Sequence, residues 1–180
     1  MGRLRRFVAN RLPADAAAAL QVEAGERVLA WSPLAGGGVA AATVRALHVL
    51  TPQGQALHRE WADVRQAAWD GDSRTLAVSW VGSHRLTPLE ILAPGRLPEV
   101  VHERVRSSLL LSREVVMPDG RTVWVALRRR ADGAVVTQVV PPPGVRPDDP
   151  RIVDEVRRAE ADVRDEVGAG FGIVRDADPA

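Results

Sequence analysis

"EWADVRQAAWDGDSRTLAVSW", residues 60–80, is the stretch whose reading decides the fold. Within it "TLAVSW" alternates. Leu76, Val78 and Trp80 fall on one side and Thr75, Ala77 and Ser79 on the other, the period-two pattern of a half-buried strand. "DGDS" before it is a turn. The same stretch holds three of the five tryptophans in a chain with no tyrosine and two phenylalanines. Aromatic mass gathered this way is either core or a platform for a ligand. Burying such a side chain contributes about 2–3 kcal/mol. A chain so poor in aromatics gains most by placing them inside. Trp61, Trp69 and Trp80 are therefore expected to be largely buried.

Outward from this stretch the period stays short. Upstream, "GERVLAWSPL" is β-compatible between Gly25 and Pro33, "AGGG" at 35–38 is a turn, and "VAAATVRALHVL" reads as one long or two broken strands closed by "TPQG". Downstream, "RLTPLEILAP" is a strand that Pro88 confines to an edge or a bulge. Six or seven short strands result. "PGRLPEVVHERVRSSLL" then spaces Leu97, Val101, Val105 and Leu109 four apart, an amphipathic helix with Pro98 in its first turn. An alanine-rich segment from Pro13 to Val22 reads as a short helix ahead of the strands.

The chain next repeats this plan in miniature. "SREVVMPDGRTVWVALRRRADGAVVTQVVPPPG" is a three-strand meander with turns at "PDG", 118–120, and "ADG", 131–133. A second helix follows, capped by Asp148 or Asp149 and ended by Gly168, with the stripe Ile152, Val156, Ala159, Val163 and Val167. The expected fold class is α+β: a small β-barrel or sandwich capped by a helix, then an antiparallel meander and a C-terminal helix. The expected divisions are 1–22, an N-terminal segment; 23–112, the barrel and its helix; 113–168, an accessory unit packed on the first; and 169–180, a mobile tail. Trp124 lies opposite Val123, Val125 and Leu127, so it is either exposed or covered by the first unit, and cover is the favoured reading.

The residues of the first half resemble a bacterial PH-like domain, the small pleckstrin-homology-type barrel. "GERVLAW" (25–31), "ATVRALHVLTP" (42–52) and "EWADVRQAAWD" (60–70) carry the likeness, with "TLAVSWV" and the helix over 97–109 completing it across about residues 23–112. In the third of these, Trp61 and Val64 take the places of the buried anchors. The resemblance implies a fold in which some members bind lipids and many bind proteins.

Composition bounds the remaining possibilities. A chain of 180 residues, 46% hydrophobic and 26% charged, is ordinary for a globular protein. No apolar run reaches the length of a transmembrane helix, and the basic start has no continuous apolar stretch behind it. A cytoplasmic protein without a signal peptide is therefore expected. All 24 basic residues are arginine, and with abundant alanine, valine, glycine and proline this points to a high-GC bacterial genome. A net charge of +1 gives no general attraction to nucleic acid or anionic membrane.

Candidate chemistry is sparse. Zero cysteines remove disulfides and thiolate chemistry. Without lysine there is no Schiff base and no phosphate-loop lysine. The four histidines, His48, His58, His84 and His102, form no close pair of the kind metal sites use, so no metal or cofactor is expected. Asp70 and Asp72 read as turn residues. A site built from segments that converge in space, such as His84, Asp70 and Ser83, is a catalytic alternative, and the chain is expected not to be an enzyme. The leading expectation is a non-catalytic interaction module that binds a protein partner or assembles with itself. The alternative is binding of an anionic lipid head group or nucleic acid through Arg128, Arg129 and Arg130 with Arg121 across the hairpin, extended by Arg3, Arg5 and Arg6 if the N-terminus folds back. The plain reading of those arginines is a solubilising hairpin tip.

Overall fold

A computed structural model describes residues 11–83, 85–116 and 120–140, and the helical residues 153–154, 157–158, 161–162 and 164–166. The chain divides into two compact units, 1–106 and 107–180. The α+β class holds: the described residues form ten strands in three antiparallel sheets, with few helices.

The first unit opens with helix α1 (Ala14–Ala19) and continues through strands β1 (Val28–Pro33), β2 (Val39–Thr43), β3 (Ala46–Leu50) and β4 (Ala56–Glu60), which form one sheet in the order β1-β2-β3-β4. A 3-10 turn over Trp61–Asp63 carries the chain into a second sheet, β5 (Val64–Asp70), β6 (Thr75–Trp80) and β7 (Leu86–Glu90), in the order β5-β6-β7. Pro88 sits on β7, at the end of this sheet, where its missing N–H disturbs no inner ladder. Helix α2 (Leu97–Ser108) follows.

The seven strands are two sheets and not a closed barrel, which corrects the barrel alternative of the sequence reading. The sheets meet where β1 ends and β7 has just ended. Leu34 bridges Ile91, Leu92 donates its N–H to the Pro33 carbonyl at 3.0 Å, and the buried Ser32 hydroxyl donates to the Ala93 carbonyl at 2.8 Å. Between the sheets lies one core. Ala40, Ala42, Leu47 and Val49 come from the first sheet, Leu76, Val78 and Leu89 from the second, and Leu97, Val100, Val101 and Val105 from α2. The helical stripe therefore faces inward as its spacing predicts. Its fourth member, Leu109, differs: it is the first residue of the next strand, because the helix stops at Ser108.

Trp61 is the anchor of this core, 3% exposed, with its indole N–H donating to the Thr43 carbonyl at 3.1 Å. Val64 beside it is fully buried. Trp80 is half-buried against the same core and donates to the Thr87 hydroxyl at 2.8 Å. Trp69 departs from expectation: it is 37% exposed. Its register partners on β6 and β7, Leu76 and Leu89, are buried core residues, whereas Trp69 lies on β5, the end strand of the sheet, one residue before the hairpin turn. The expectation that Trp69 is largely buried is therefore corrected.

A second small cluster covers the opposite face of the first sheet. Leu12 and Leu20, which flank α1, pack with Val39 and Ala41, and with Ala16, Ala17, Val22, Val28, Trp31 and Leu50 around them. Strands β2 and β3 are thus buried on both faces. That is why their sequence is an almost unbroken apolar run and not an alternation.

In the second unit β8 (Leu109–Val116), β9 (Thr122–Arg129) and β10 (Val135–Val140) form an antiparallel sheet ordered β10-β9-β8, the expected meander. On one face Val123, Val125 and Leu127 make a core with Leu111, Val115 and Val139. Two polar contacts from the later helical residues reach this face: Arg164 donates to the Thr137 hydroxyl on β10, and Arg113 on β8 pairs with Glu166. The opposite face of β9 carries half-buried Trp124 with buried Ala126 and Arg128, so the central strand is covered on both sides. The expected stripe from Ile152 to Val167 and the tail over 169–180 lie outside the residues whose side chains are described, as do Arg3, Arg5 and Arg6.

Candidate functional site

The arginines named from sequence do not form one surface. Arg121 precedes β9, whereas Arg129 ends it and Arg130 follows. At about 3.3 Å per residue the two groups stand roughly 25 Å apart along the strand. Arg121 is not across a hairpin from the other three, because it precedes β9 whereas Arg128 and Arg129 are its last two residues and Arg130 follows it. Arg128 is 1% exposed, and its guanidinium donates to the Ser108 hydroxyl at 2.8 Å. Burial pushes its pKa below the usual arginine value. Arg128 points to the face opposite Arg129 because successive strand residues alternate. Arg128 and Arg129 therefore do not share a face, and Arg128 is not part of an exposed patch.

The Asp70 carboxylate accepts from the Ser73 hydroxyl at 2.7 Å and from the backbone N–H groups of Asp72 and Ser73. These bonds, the Ser73 hydroxyl first, hold its pKa below the ordinary carboxylate value. They are the bonds of a turn-forming aspartate. The Ser83 hydroxyl accepts from the Arg85 N–H. His84 lies outside the described residues. Among the described residues no group of three or more metal-ligating side chains converges.

One constellation was not singled out from sequence. His48, in the middle of β3, is completely buried. Register explains its surroundings: Trp31, Ala41, His48 and His58 form one row across the four strands of the first sheet, on the face that α1 covers. His48 Nδ1 lies 3.1 Å from the Leu20 carbonyl, just after α1, so that nitrogen must carry the proton. His58 stacks on the ring with centroids 4.5 Å apart and planes inclined by 9°. Nε2 lies 3.8 Å from Glu26 Oε2, and the Glu26 side chain is only 6% exposed. Among the described residues neither His48 Nε2 nor Glu26 Oε1 has a hydrogen-bond partner.

Burial dominates the electrostatics. It pushes the His48 pKa below that of an ordinary histidine. The Leu20 bond opposes this, His58 adds to it, and the Glu26 and Glu23 charges oppose it. The neutral Nδ1–H tautomer results, with the Nε2 lone pair directed at a carboxylate. Beside this pair is an open cleft of about 350 Å³, lined by residues 23–27 with Val44 and Arg45. Arg45 and Glu23 form an exposed ion pair at 3.4 Å across it.

The sequence did contain a signal. His48 interrupts "VRALHVL", a run otherwise apolar at its strand positions, and a polar residue there is buried if both faces of the strand are. Glu26, 22 residues earlier, gives no such sign, since it stands as an ordinary charged residue at the start of "GERVLAW". No family model, no curated protein and no solved structure matches this chain.

Proposed function

We propose that this chain is a bacterial, cytoplasmic PH-like interaction module that binds a protein partner or a second copy of itself, and that it is not an enzyme. The order of elements supports the PH-like reading: four antiparallel strands, then three, then a helix whose apolar stripe enters the core between the sheets. The observation that carries the interaction reading is Trp69. In a chain with five tryptophans and no tyrosine, one indole is 37% exposed on the end strand of a sheet. A solvent-facing indole whose register partners are core is the kind of residue that anchors an interface. Leu86 and Leu92 are also exposed on this unit.

Light scattering across a concentration series, together with capture of partners by immobilised protein, tests this reading. Trp69→Ser is expected to weaken the association while leaving the circular dichroism spectrum unchanged. A monomer at every concentration, with identical capture by wild type and variant, overturns it. The anionic-ligand alternative predicts strong, salt-sensitive retention on heparin or anionic vesicles. The separation of Arg121 from Arg129 and the burial of Arg128 weigh against it. Among the described residues no helix is long and apolar enough to cross a membrane.

A further inference from the structure

We propose that His48 is a proton-operated latch, holding residues 12–27 over the outer face of the first sheet when its ring is neutral and releasing them when Nε2 takes up a proton. The proposal is independent of which partner the module binds.

The segment is weakly held apart from this point. Helix α1 has six residues, buries none of them, and has no side-chain cap at its start. A helix this short does not persist in water by its own propensity. Its other attachments are the buried Leu12 and Leu20 with the partly buried Ala16, Ala17 and Val22, the exposed Arg45–Glu23 pair and the backbone bond from Val44 N–H to the Arg27 carbonyl at 3.1 Å. Among the described residues, the buried polar tether in its middle is His48 Nδ1 to the Leu20 carbonyl.

That tether is placed where a second proton on the ring is unwelcome. With the segment in place His48 has no contact with water. The groups facing it are Glu26 and Glu23 from the segment and His58 from β4, while β2 offers Ala41 in the same row. Glu26 Oε2 at 3.8 Å is too far to accept a hydrogen bond from Nε2, so a proton arriving there gains attraction but no bond. A proton on His58, stacked face to face, repels it further. Lifting the segment removes Leu20 and Glu26 and wets the ring. The imidazolium is then hydrated, and no strand has moved. The proton comes from solvent and stays on Nε2, so release takes up one proton. The release equilibrium then shifts about tenfold per pH unit inside the window where only the open form is protonated.

Hydrogen exchange measured as protection factors on the full chain between pH 7.5 and 5 tests this. Protection at residues 14–22 is expected to fall about tenfold per pH unit through that window, with β2 and β3 holding theirs. His48→Gln, which cannot take up the proton, is expected to show segment protection that does not vary with pH. His58→Gln is expected to keep the response. Parallel pH responses in wild type and His48→Gln overturn the proposal, as does loss of the response in His58→Gln. If His48→Gln does not fold, the wild-type His48 ring resonance decides. Titration in step with segment protection supports the latch, and titration with the segment still protected overturns it.

Discussion

Trp61 and Trp69 stand eight residues apart on what reads as one aromatic stretch, and they do different work. Trp61 fills the junction between two sheets and satisfies its N–H on the Thr43 carbonyl. Removing it leaves a large void and takes away the hydrogen bond to the Thr43 carbonyl. Trp61→Ala is expected to lower stability by about 3–5 kcal/mol, read as a drop in the urea midpoint. Trp61→Phe keeps most of the volume and isolates the lost hydrogen bond, about 1 kcal/mol. Trp69→Ala, at a site already over one-third exposed, is expected to cost about 1 kcal/mol or less. If the two alanine variants lose equal stability, the assignment of Trp61 as the anchor is wrong. Arg128 makes the same point for charge. Its neighbours in sequence give it a surface role, and its strand parity gives it an interior one.

At the scale of elements, the turn joining β1 to β2 depends on a close approach. The Gly38 carbonyl accepts from the Leu34 N–H at 2.8 Å, and a Cβ built on Gly38 would lie 2.4 Å from the Leu50 carbonyl oxygen. That oxygen is backbone, so the strand must move. Gly38→Ala is expected to destabilise by about 1–3 kcal/mol, measured by thermal or urea unfolding. An unchanged midpoint would show that the β2–β3 pairing is looser there than the register implies. Helix α2 is tied to both sheets through Leu97, Val101 and Val105. Val101→Ala removes two methyl groups from a fully buried site, and a loss of about 1–2.5 kcal/mol is expected. On β9 alternation is hidden because both faces are covered, as on β2 and β3.

For the whole molecule, the pH dependence of stability separates into two windows. His48 has a folded-state pKa below its unfolded value of 6.5. Between the two the unfolded chain holds the extra proton, so stability is complete above about pH 6.5 and falls as the pH drops through this window. Asp70 has a folded pKa below 3.8, so its contribution is complete above that value and is lost only in stronger acid. Urea midpoints between pH 7.5 and 5 are therefore expected to decline, and His48→Gln is expected to flatten that decline. A flat wild-type profile over this range would contradict the burial of a neutral His48.

The sequence by itself determined the classes of element and their order. Alternation in "TLAVSW", glycine and aspartate at the turns, Pro88 on an end strand and the four-residue spacing of Leu97, Val101 and Val105 are local properties, and each reappears as an element or an inward face. Depth and company are not local. Whether Trp69 is core depends on where its sheet ends, and whether Arg128 is surface depends on what covers the second face of β9. That His48 meets Glu26 and Leu20 depends on a short helix folding back over strands that begin after it. Tertiary structure decided these three because burial is a property of what packs from outside a segment, and strand periodicity reports only which side a residue faces.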